Sequence, residues 1–98
     1  MKCFVKIHSR SHQYVVGVCD ENCLNKTLKE NQFHFKVSEE FFKGELLPIK
    51  DVLVLLKKSN NFNVVGPNII KELLDKQIIH TDSVLKIDGI PICMKLLF

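Results

Sequence analysis

Apolar positions in the last third of the chain fall into two distinct rhythms. Ile69, Ile70, Leu73, Leu74 and Ile78 recur three and four residues apart, which places them along one face of a helix. Gly66 and Pro67 suit its entry, because glycine serves at a cap and proline at the first helical position gives up only an N–H that has no helical partner. Lys71 and Asp75, and Glu72 and Lys76, lie four apart on the opposite side and can pair there. After Asp82 and Ser83 the rhythm changes. Residues 84–87 are β-rich, Asp88-Gly89 is a tight-turn dipeptide, and residues 90–98 are apolar enough for a returning strand.

The earlier chain adds a second hairpin and more helix. Residues 2–8 alternate imperfectly, with Cys3, Val5 and Ile7 on one side and Lys2, Lys6 and His8 on the other. Residues 9–11 read as a connection to a strand over 13–19, in which Gly17 marks a bulge or a close approach. Phe33, Phe35 and Val37 alternate with polar neighbours and predict a half-buried strand. Ser38 is an N-cap for a short helix containing Phe41 and Phe42, with Glu39 and Glu40 placed where the helix dipole favours them. Pro48 begins a longer helix striped by Ile49, Val52, Leu53 and Leu56 and ended by Lys57 and Lys58. The expected order is β-β-β-α-α-α-β-β. That order predicts one α+β domain over residues 1–98. Its mostly antiparallel sheet would be built from N-terminal and C-terminal hairpins plus a middle strand, covered on one face by two or three helices.

Composition narrows the class. The 98 residues are 46% apolar and 26% charged, which supports a packed core and argues against disorder. The longest apolar run is far too short to span a bilayer, and the first twelve residues lack the long apolar region of an export signal. A cytoplasmic location is expected. Cys3, Cys19, Cys23 and Cys93 then read as buried free thiols, since only Cys19 and Cys23 approach a metal-ligand spacing and no second pair accompanies them. No metal and no cofactor is expected. Net charge is +3, and residues 1–19 contain no carboxylate while carrying Lys2, Lys6, Arg10, His8 and His12. This is a local cationic surface suited to phosphate or to an acidic partner.

Several stretches taken in order resemble a known family. They are VCDE at 18–21, KVSEEFFKGEL at 36–46, NVVG at 63–66, VLKI at 84–87 and GIP at 89–91. The chain is identified on them as resembling the archaeal domain of unknown function 424 family, over nearly its whole length. The resemblance implies a compact archaeal cytosolic domain with little assigned chemistry, and a genomic setting near translation-initiation genes. Similar proteins often carry a His-Ala pair after the last turn, where this chain has Ile92-Cys93, so no role of that histidine carries over.

No phosphate loop, dinucleotide fingerprint or zinc-protease pattern is present, and no catalytic residues are assigned. The paired carboxylates Asp20-Glu21 and Glu39-Glu40 sit where capping or a solvated turn explains them. Two functional readings follow. One is a non-catalytic binding module of translation or RNA processing, touching RNA or a translation-apparatus protein through Lys2, Lys6, His8, Arg10 and His12. Salt-dependent RNA binding would mark it. The other is a small enzyme or enzyme subunit with an anion pocket at the helix entry, where Gly66 exposes backbone N–H groups and Asn63 and Asn68 add donors. A deep pocket with several titratable groups would mark that one.

Overall fold

In a computed structural model of the chain, which describes residues 1–96, the first strand β1 (Lys2–Arg10) turns back into β2 (Gln13–Asp20). The pair closes at Arg10 opposite Gln13, so the loop is the two residues Ser11 and His12. Both have positive φ, 50° and 67°, as a type I′ turn requires. Tyr14 lies opposite Ser9 and Phe4 opposite Cys19, which puts the two rings on opposite faces. Beyond a 3-10 turn, β3 (Thr27–Glu30) and β4 (Phe33–Lys36) pair in a small sheet of their own. The helical turn α1 (Glu39–Phe42) follows, its Phe41 N–H donating to the Ser38 hydroxyl at 3.3 Å. Edge strand β5 (Glu45–Pro48) leads into helix α2 (Ile49–Lys57). Strand β6 (Phe62–Val65) runs into helix α3 (Pro67–Asp75), and β7 (Val84–Ile87) and β8 (Ile90–Lys95) form the closing hairpin.

The main sheet has six strands in the order β5-β1-β2-β6-β8-β7, antiparallel except where β2 meets β6. The α+β class and the two terminal hairpins are as expected. The middle strand is not. It is residues 62–65, a short apolar-rich stretch that reads equally well as the lead-in to a helix, whereas 33–36 pairs only with β3. Residue 96 falls beyond β8, and the rest of the expected last strand lies outside the described residues.

Strand alternation divides the core in two. Cys3, Val5, Val16, Val18, Phe62, Val64 and Cys93 face one side and pack with Val52 and Leu56 of α2 and Ile69, Ile70 and Leu73 of α3. Cys19, Val65 and Ile92 face the other side. There the cover is Phe42 of α1 and Leu28 and Val37 of the small hairpin and its exit, so only two of the three helices share a face. All four cysteines are buried and free.

Candidate functional site

The expected basic strip is divided by what lies over it. Lys6 and His8 do share a face of β1, but α1 sits on that face. The Lys6 ammonium donates to the Glu40 carbonyl at 2.7 Å, and His8 Nε2 meets the Phe41 carbonyl at 2.8 Å. A carbonyl only accepts, so that nitrogen carries the proton. The His8 ring also stacks on Phe41 with centroids 4.4 Å apart. Gly17 makes the arrangement possible, because a Cβ there would come within 2.6 Å of the Phe41 carbonyl oxygen. These two side chains anchor a helix. Lys2 is exposed at the far end of β1, beside Glu21 and Asn22. Arg10 and His12 remain exposed at the hairpin tip.

The tip borders a recess of about 480 Å³ that sequence reading did not find. Its lining includes Ile7, His12 and Tyr14 from the first hairpin, and Leu55, Lys58 and Asn60 from the end of α2 and the loop after it. Tyr14 is 62% exposed and Ile7 53%, so both offer apolar surface at the mouth of the recess. The face is bare because α2 ends before reaching it. The loop is held against β2, with Val16 N–H donating to the Asn61 carbonyl at 3.0 Å and the Asn61 side chain to the Tyr14 carbonyl at 3.4 Å. The last carbonyls of α2 are also engaged: Ser59 Oγ donates to Leu55 at 2.8 Å and Ser59 N–H to Leu56 at 3.1 Å. The recess is therefore built between two stretches, 1–19 and 52–71, that contain no Asp or Glu. Ser11 and His12 add a further feature. Their left-handed backbone is what the two-residue turn requires, and at non-glycine residues it carries a cost.

The helix entry near Gly66 holds an anion from within the chain. Asn68 N–H donates to Asp20 Oδ2 at 2.8 Å and Ile69 N–H to Asp20 Oδ1 at 3.0 Å, while the Cys3 thiol points at Oδ1 from 3.7 Å. Gly66 has φ of 131°, and a Cβ on it would lie 2.4 Å from the Asp20 carboxyl carbon. Glycine is required there for both reasons. Burial holds the Asp20 carboxyl above the usual carboxylate range, and the hydrogen bonds from Asn68, Ile69 and Cys3 offset this only in part. Asn63, Gly66 and Asn68 do not converge. Asn63 points to the sheet face opposite α3 and lines a separate groove with Phe41 and Met94, whereas Asn68 borders the surface beside Met1 and Pro48.

The remaining reactive groups are held quiet. Burial raises all four thiols, Cys19 to about 12 and Cys3 further still, with the neighbouring Asp20 adding to the rise at Cys3, Cys19 and Cys23. Among the described residues, no group of His, Cys, Asp and Glu is placed to hold a metal ion, and no helix is long and apolar enough to cross a membrane.

Fold and surface thus define a small α+β domain with a recess at one hairpin tip. The chain belongs to the family described as Protein of unknown function (DUF424), whose model matches residues 7–95. Among solved structures it is similar to the crystal structure of an uncharacterized conserved protein from Methanopyrus kandleri. The TM-score is 0.76 at 19% identity, over 96% of this chain and 90% of that one. The likeness is one of fold. A search of curated proteins found no match.

Proposed function

We propose that this protein is an archaeal cytoplasmic binding module of the translation or RNA-processing apparatus, and that it contacts single-stranded RNA through the tip of its first hairpin. The observation that carries the reading is the exposed Tyr14 ring in an acid-free recess with His12 and Lys58, while Arg10 is exposed at the same hairpin tip. Single strands are bound by this combination, since a base stacks on an aromatic face and cations follow the phosphates. Free buried thiols fit a reducing compartment. A non-catalytic role is supported by the engagement of the reactive groups: Asp20 caps a helix, and the thiols are held protonated. The enzyme reading rested on an anion pocket at Gly66, and the Asp20 carboxylate already occupies those donors.

Ultraviolet crosslinking in native lysate, followed by mass spectrometry of nucleotide-bearing peptides, tests the proposal. Crosslinks should map to residues 12–14 and 58–60. Crosslinks confined to other surfaces, or recovery of protein without RNA, would refute it.

A further inference from the structure

The opposite face of the sheet carries a second concavity, independent of the hairpin tip. This groove of about 430 Å³ lies between α1 with the small hairpin on one side and β8 with β7 on the other. Its wall is aromatic and fixed in place. Phe41 and Phe42 meet edge to face at 4.9 Å, Phe35 and Phe42 are tilted at 6.3 Å, and His8 backs Phe41 from behind. Its floor is Ile87 and Ile92, and its rim includes Leu85 and Met94, which are 58% and 61% exposed.

Three polar side chains break this apolar lining: Ser38, whose hydroxyl caps α1, and Asn63 and Lys36, which specify a ligand. Asn63 projects from β6 into the groove wall, and its Oδ1 is buried with no donor reaching it among the described residues. A buried acceptor left unpaired is costly, and such atoms call for an explanation. Its neighbours across the sheet are Gly17, which has no side chain, and Met94, which offers no donor. The one charged side chain among the described lining residues is Lys36. We propose that the groove is a binding site for a small planar aromatic acid bearing a ring N–H or O–H. The ring would lie against the phenylalanine wall and Met94, whose thioether suits an aromatic partner. Rotation of the Asn63 amide would bring its Oδ1, enclosed in the unliganded chain, to the ring donor, and the acid group would meet the Lys36 ammonium. A concave, mostly apolar lining with a few placed polar groups is the usual make-up of a small-molecule site, and the volume is in that range.

Indole-3-acetate is the probe, compared with 1-methylindole-3-acetate, which keeps ring and acid but lacks the donor. Both are titrated into the isotope-labelled full chain and followed by amide and methyl shifts. The expected result is saturable binding of indole-3-acetate that moves Asn63, Ile87, Ile92 and Met94 and leaves residues 12–14 unmoved. The methylated analogue should bind about tenfold more weakly, the effect of one hydrogen bond. Asn63→Val should erase the difference between the two probes. Absence of saturation at millimolar probe, or equal affinity of the two compounds for the unaltered protein, would overturn the proposal even if the variant failed to fold. RNA binding at the hairpin tip is unaffected by either outcome.

Discussion

Replacing Gly66 by alanine puts a methyl group where the Asp20 carboxyl sits, so the two positions should fail as a unit. Alanine at φ 131° carries backbone strain of about 1–3 kcal/mol. The new Cβ also displaces the carboxylate from Asn68 and Ile69 N–H, and Ile69 is fully buried. Losing a cap costs about 1–2 kcal/mol, and each buried N–H left unpaired about 1–3 kcal/mol. Gly66→Ala should therefore destabilise by about 3–6 kcal/mol and Asp20→Ala alone by about 2–4 kcal/mol. The informative variant carries both changes. With the cap already broken by Gly66→Ala, removing Asp20 has little left to lose and relieves the clash. Its cost in that background should fall below about 1 kcal/mol, a coupling of about 2–3 kcal/mol. Urea titration followed by far-ultraviolet circular dichroism suits a chain with no tryptophan and one tyrosine. Strict additivity of the two substitutions would refute the reasoning, because it would mean that the Asp20 carboxylate does not occupy the space glycine leaves.

Other consequences are open to the same titration. Leu73→Ala, at a fully buried position between α3 and the sheet, should cost about 2–5 kcal/mol, and a loss under about half a kilocalorie would show that the stripe packs elsewhere. The folded-state values of Cys3 and Cys19 lie above a thiol's ordinary value of about 8.5, so the unfolded chain releases its protons first. Their stabilising effect is full below about pH 8.5 and lost as pH rises toward 12, at about 2 kcal/mol per thiol by pH 10. Cys19→Ala should flatten that alkaline decline, and an unchanged slope would contradict it. Native mass spectrometry under reducing conditions should give the metal-free mass, and stoichiometric zinc would make Cys19 and Cys23 the first ligands to test. Replacing Ser11-His12 by Asn-Gly should stabilise the hairpin by about 1–2 kcal/mol, since both residues then tolerate positive φ, while weakening RNA binding.

What could be read in advance followed the range of the interactions concerned. Helix α3 was visible because its stripe is local, and the closing hairpin because Asp88-Gly89 dictates its own turn. The face shared by Lys6 and His8 also followed from strand alternation. What covers that face depends on Phe41 resting on Gly17, a contact between residues 24 apart in the chain, so a solvated strip was the natural expectation. Strand β3 went unread because Leu28 is its only buried residue. Strand β6 went unread because four apolar-rich residues before a helix carry no period of their own. The Asp20 cap spans 48 positions, and neither Asp20 nor Gly66 announces the other. The recess at the tip has the same origin. His12 and Arg10 were singled out from the acid-free N-terminus, but Tyr14 joins Lys58 only once α2 has been laid beside the hairpin.

The central claim is that RNA is held at that recess by stacking and by phosphate contacts. Fluorescence anisotropy of a labelled single-stranded oligoribonucleotide, measured across a salt series, tests it most directly. Each phosphate contact contributes about 0.7 to the slope of log affinity against log salt. Arg10→Gln with Lys58→Gln should therefore reduce the slope by about 1.4, whereas Tyr14→Ala should weaken binding by about 1–3 kcal/mol and leave the slope unchanged. An affinity and slope identical in all three proteins would contradict the account.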